Sequence, residues 1–180
     1  MSKTIIGTLV GALILFIWQF ISWGLGDLHY NQMSHTPQQE AILEALAEFN
    51  LEDGDYFVPR VPKGATEEEN QALTEASLGK PWAIIKYRNE FTMSMGSNML
   101  RGFVIDFLAV FMMIWIFGKM TRPDFKTIVM TCLAVGFIGY LTIAYLNSIW
   151  FQGNTIADLM DAIVSWGVVG AWLGWWLNRS

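Results

Sequence analysis

Four apolar runs, at residues 5–25, 102–117, 127–146 and 156–177, alternate with segments of quite different character. A bilayer core of about 30 Å takes about 20 residues of helix at about 1.5 Å each, so each run reads as a membrane span. The first is interrupted only by Gln19 and small residues. It is longer than the apolar core of about 7–15 residues in a secretory signal. It ends in Trp23, Gly24, Leu25, Gly26 and Asp27 rather than a small-residue cleavage site, so it is expected to stay attached as an anchor. The pattern predicts an all-α membrane protein, a four-transmembrane-helix bundle with a small α+β extracytoplasmic insertion. Residues 1–26 give the first helix, 27–100 the insertion and 101–180 the other three helices.

The insertion carries its own signals. Thr36, Pro37 and Gln39 predict a helix start with an N-cap, a proline at the first helical position and a capping-box partner. Glu40, Glu44 and Glu48 then mark one face, with Ile42, Leu46 and Phe49 on another. Asp53, Gly54 and Asp55 read as a turn, residues 56–58 as a strand, and Pro59 and Pro62 confine that strand to an edge. Thr66 with Glu69 is a second capping box, opening a helix that ends near Gly79. Residues 82–87 form the second predicted strand. So small and polar a unit has little core of its own and is expected to lean on the membrane or on a partner.

Charge orients the spans. Lys and Arg near span ends are retained on the cytoplasmic side, and Lys3, Lys119, Arg122, Lys126 and Arg179 all fall on one side of a four-span arrangement. Both termini are therefore expected to be cytoplasmic. Residues 27–100 then lie outside, with twelve acidic side chains against five basic ones. A net charge of −5 argues against nucleic acid as a partner. Trp18, Trp23, Tyr145 and Trp150 mark one interfacial belt and Trp115, Trp172, Trp175 and Trp176 the other, while Trp166 falls nearer mid-membrane and is expected to pack on another helix.

Spans associate through close packing of small residues. Gly7 with Gly11, and Gly170 with Gly174, are two such pairs at similar depth, which predicts that the first and fourth helices cross there; a dimer interface is the rival. Gly136 and Gly139 are candidates for the same role on the third span.

Three carboxylates lie within the spans: Asp106 on the second, Asp158 and Asp161 on the fourth. Such groups cost about 2.5–3.5 kcal/mol at a helix centre and are functional candidates by default. Asp106 and Asp161 sit about 8–10 Å in from the outer end by helical rise. Asp158 and Asp161 share a helix face, and Asp106 joins them if the second and fourth spans are neighbours, with Arg101 as counter-ion. One reading is a cation or proton site, with Gln19 and Asn147 nearby; the other is a capped helix end with a structural ion pair to Arg101. A second cluster sets Met93, Met95 and Met99, in TMSMGSNM, beside His29, Met33 and His35. Thioether sulfur suits Cu(I) and imidazole suits several metals; methionines as ordinary gap fillers that cluster by number, with surface or interfacial histidines, are the plainer account. Cys132 is the single cysteine, so an intrachain disulfide is excluded. Phosphate-loop, zinc-protease and nucleophile-elbow motifs are absent, and two histidines outside the spans cannot bridge a haem. No cofactor and no enzymatic activity are expected.

The opening IIGTLVGALILFIWQFISWGLGDLH, the segment AVGFIGYLTIAYLNSIWF and the ending DAIVSWGVVGAWLGWWLNR resemble small bacterial inner-membrane proteins of unknown function, with four helices and an insertion after the first. The resemblance implies that architecture and no catalytic residues. The expected function is that of an accessory or interaction subunit of a membrane assembly or a homo-oligomer, in contact with the lipid bilayer and with a membrane-protein partner or a second copy. The alternative is a small transporter or copper-handling protein that uses the carboxylates or the Met and His cluster.

Overall fold

The computed structural model describes residues 2–179. In chain order the elements are α1 (Ser2–Phe20), prolonged by a π-helical turn at Ile21–Leu25, a 3-10 turn at Tyr30–Gln32, α2 (Gln39–Glu48), β1 (Gly54–Val58), α3 (Glu67–Ser77) and β2 (Ala83–Tyr87). Then come α4 (Met95–Phe117), α5 (Phe125–Gly139), a π-helical segment at Tyr140–Tyr145, α6 (Leu146–Phe151) and α7 (Ile156–Asn178). Four helical stretches are long and apolar enough to cross a membrane: Lys3–Leu25, Met95–Phe117, Phe125–Phe151 and Ile156–Asn178. The chain divides into a helical unit, which runs to Ser34 and resumes at Ser94, and a second unit, His35–Met93.

In the helical unit α1 packs between α4 and α7, and α7 packs in turn on α5. Each neighbour runs antiparallel, as the pairs Gly11 with Val110, Gly7 with Trp176 and Gly174 with Phe125 require. Leu15, Val110, Ile114, Phe117, Ile128, Cys132, Val169 and Leu173 form one buried cluster. Most of these lie in the half of the unit that holds Lys3, because they fall late in α4 and α7 and early in α5. On α1, Ile5, Leu9, Leu13 and Ile17 recur every four residues and are all about half exposed, an apolar stripe suited to lipid. Thr8, Ala12 and Leu15 are buried on the adjoining face.

The glycine pairs do not meet each other as the sequence predicts. A Cβ on Gly7 would meet Trp176 and Ile114, and one on Gly11 would meet Val110 of α4. Gly170 faces Cys132 and Val129 of α5, and Gly174 faces Phe125. The α1–α7 contact is made instead by tryptophans: Trp172 Nε1 donates to the Gly7 carbonyl at 3.1 Å and Trp176 Nε1 to that of Lys3 at 2.7 Å. There the indoles of α7 lie against Gly7 and the backbone of α1, rather than small residues against small residues. Trp166 does pack on another helix, in the notch over Gly136.

The second unit matches the expected α+β pattern. β1 and β2 pair antiparallel with Tyr56 opposite Ile85. The Thr66–Glu69 capping box is complete, with Thr66 N donating to Glu69 Oε2 at 2.8 Å and Glu69 N to Thr66 Oγ1 at 3.2 Å. The first box does not form. Thr36 Oγ1 accepts instead from Gln38 N at 3.3 Å, a local turn that competes with a helix cap, and α2 begins at Gln39. None of residues 35–93 is buried.

Candidate functional site

The polar half of the helical unit is built around the exit of the chain from α1. The π-helical turn at Ile21–Leu25 closes with Gly26 N donating to the Ile21 carbonyl at 2.7 Å, and Asp27 at φ +48° turns the chain back. His29 is thereby set on the helix face it has just left, 6% exposed. Its ring stacks on Trp23 at 3.8 Å between centroids and 8° between planes.

Three groups converge on Asp161 of α7. Trp18 Nε1 and Ser22 Oγ, one helical turn apart on α1, donate to its Oδ1 at 2.9 and 2.6 Å. His29 Nε2 lies 2.9 Å from its Oδ2. Nδ1 of the same imidazole is 2.8 Å from Gln32 Oε1. The Gln32 amide nitrogen donates to Asp158 Oδ2 at 2.6 Å and to the Asn154 carbonyl at 3.1 Å. Because that nitrogen faces two acceptors, the amide orientation is fixed and Oε1 must accept from His29 Nδ1. Both imidazole nitrogens thus face oxygen acceptors, which favours the imidazolium. Burial pushes the His29 pKa down, but the Gln32 hydrogen bond, the Asp161 hydrogen bond and charge, and the Asp158 charge outweigh it, so the pKa is raised above 6.5. The network ties residues 29–32 to α7 like a clasp.

Beside it, between α1 and α5 and floored by α7, runs a groove of about 480 Å³. Asp158 and Asp161 line it together with Trp18, Trp23, Tyr140 and Trp166. Gly136 and Gly139 keep its α5 wall low.

Several expected partners are separated. Asp106 does not join Asp158 and Asp161, because α1 stands between α4 and α7. It is 4% exposed, and its Oδ1 accepts from Gln19 Nε2 at 2.9 Å, while Trp18, the preceding residue and about 100° around the helix, serves Asp161. Arg101 is not its counter-ion: among the described residues the ion pairs are His29–Asp161 and Arg88–Asp55. Arg101, Met95 and Met99 lie on α4 itself, which starts at Met95, earlier than its apolar run. Asn147 is exposed and does not line the groove. Met33, Met95 and Met99 belong to the helical unit, and His35 and Met93 to the other. All four of these methionines are exposed. Both nitrogens of His29 are already hydrogen-bonded. Among the described residues no group of three His, Cys, Asp or Glu side chains is placed to hold a metal.

Gln32, Ser22 and Trp18 were not legible as site residues. The available signal was a pair of i, i+3 spacings, His29 with Gln32 just past the first span and Asp158 with Asp161 at the start of the last. No protein-family model, curated protein or solved structure matches the chain.

Proposed function

We propose that this is a non-enzymatic multi-pass protein of a bacterial cytoplasmic membrane, with both termini cytoplasmic. It acts as an interaction subunit, and its extracytoplasmic unit docks on another membrane protein or on a second copy. The observation that carries the proposal is that none of residues 35–93 is buried. Ile42, Leu43, Phe49, Leu78 and Phe91 are 46%, 61%, 70%, 74% and 87% exposed. A unit that buries no side chain gains little hydrophobic stabilisation by itself, and exposed apolar side chains of this size mark contact surfaces. The clasp fits this role, because it holds the chain just ahead of the unit against α7. Orientation is supported by Lys3, Arg122 and Arg179 gathering at one end of the helices. Native mass spectrometry of protein extracted gently from its own membrane is expected to show a mass above that of one chain. A bare, thermally stable monomer would overturn the proposal.

The groove supports a second reading, a carrier that binds a cation beside Asp158 and Asp161. The carrier reading expects Asp158→Asn to abolish uptake with the fold intact, whereas the interaction reading expects the partner to be retained. Co-purification and uptake measured on one Asp158→Asn preparation separate the two.

A further inference from the structure

At the end of the helical unit opposite His29, a cavity of about 900 Å³ opens between the start of α1, the turn after α4 and the end of α7. Its lining has two characters. Ile114, Phe117 and Leu177 form an apolar wall, and Arg122, Arg179 and Thr4 form a polar and cationic one, with no acidic residue in the lining. Lys3 Nζ donates to the Arg179 carbonyl at the same corner and adds a third positive charge.

These cations are not neutralised from within the described residues. The ion pairs there are His29–Asp161 and Arg88–Asp55. Asp124, two residues beyond Arg122, is committed to the start of α5, where its Oδ1 accepts from Thr127 N at 2.7 Å. The Arg179 guanidinium lies 5.0 Å over the Trp175 ring, a contact that uses its face and leaves its N–H edge to other partners. Lys119 sits likewise over Trp115 at 5.4 Å, so this end of the helices pairs its cations with tryptophans of the interfacial kind.

We propose that this cavity binds the phosphate of an anionic phospholipid headgroup on Arg122 and Arg179, with the start of an acyl chain against the half-buried Leu177 and Pro123, over the buried Ile114 and Phe117. Arginine presents a fork of donors that matches phosphate oxygens, and basic pockets between spanning helices recruit anionic headgroups. The apolar wall decides between the two sources of phosphate: an inorganic ion has nothing to place against it, and a lipid does. The inference is independent of the interaction reading and of which side of the membrane this end faces.

The test uses the full-length protein in detergent, titrated with phosphatidylglycerol, phosphatidylcholine or inorganic phosphate and read by native mass spectrometry. One phosphatidylglycerol per chain is expected to be retained about tenfold more strongly than phosphatidylcholine, with millimolar phosphate failing to displace it. Arg122→Gln with Arg179→Gln is expected to remove that preference, while Lys80→Gln with Lys86→Gln in the second unit leaves it. Equal retention of the two lipids overturns the proposal, and that comparison needs no variant to fold. Full displacement by phosphate overturns it in favour of a soluble-anion site, and an unchanged preference in the double arginine variant overturns the assignment of residues.

Discussion

Replacing Asp161 by alanine is expected to free His29 from α7, loosen residues 29–32 with only Gln32 still held by Asp158 and Asn154, and destabilise the helical unit by about 2–3 kcal/mol. Trp18 Nε1, Ser22 Oγ and His29 Nε2 all end on this one carboxylate, so its removal takes an acceptor from three polar groups and leaves the buried Ser22 and His29 only each other, at 3.2 Å. The Asp161 side chain keeps 23% of its exposure, which places the cost below that of breaking a fully buried pair. Hydrogen exchange at His29 to Gln32 should accelerate with little change in α4. Asp106→Asn should cost much less, because the asparagine carbonyl still accepts from Gln19 and no cation is left behind. Protection at residues 29–32 that is the same in Asp161→Ala as in the parent would sink the clasp.

The clasp also sets a pH dependence. The folded pKa of His29 is raised above 6.5, so its contribution is complete below about 6.5 and is lost as pH rises through the folded value. Asp161→Asn should blunt this loss. The variant keeps an oxygen for Trp18 and Ser22 but removes the negative charge that favours imidazolium, and a neutral imidazole can accept from the new amide. Protection factors at residues 29–32, which remove the intrinsic base catalysis of exchange, followed from about pH 6 to 9 are therefore expected to fall in the parent and to stay flatter in Asp161→Asn.

What the sequence made legible follows from how local each signal is. The four spans stand out because a helix long enough for a bilayer needs an uninterrupted apolar run, and the run itself is the evidence. The Thr66–Glu69 box is legible because both partners lie within one turn. The same pattern at Thr36 misled, since a threonine hydroxyl can satisfy either a helix start or the nearer Gln38 N–H, and only geometry decides. The glycine stripes announce close approach but not the partner: Gly170 and Gly174 are matched to α5, and Gly7 and Gly11 lie against Ile114 and Val110 of α4, with Trp176 also over Gly7. Trp18 and Trp23 read as interfacial anchors because hydropathy registers an indole's preference for the membrane surface and not the bond its N–H makes. The site depends on the chain doubling back at Asp27, on α1 separating α4 from α7, and on the π-helical turn that carries Ser22. None of these leaves a periodic trace.

The same packing makes Gly136→Ala the most damaging single methyl expected in the helical unit, at about 2–3 kcal/mol. Helix propensity alone points the other way, since alanine is favoured over glycine by about 1 kcal/mol in a helix interior. Sterics decide the sign here. A Cβ on Gly136 would overlap Trp166 Cδ1 and stand 2.8 Å from the Ala162 carbonyl oxygen. A rotation can displace the indole, but a backbone carbonyl inside α7 has no such freedom, so α5 and α7 must separate. Gly11 is a milder case, because its nearest neighbour is Val110 Cγ1 at 2.7 Å and all the close atoms belong to that side chain, none to backbone. Gly139 is the control: nothing lies within 4 Å of its would-be Cβ, although it lines the same groove one turn along. Gly139→Ala is therefore expected to be neutral or slightly stabilising, and Gly136→Ala to lower the midpoint of detergent-induced unfolding clearly. If the two variants unfolded at the same midpoint, the close contact of α5 with α7 at Trp166 would be wrong. The groove would then lose its floor, and Asp158 and Asp161 their place in it.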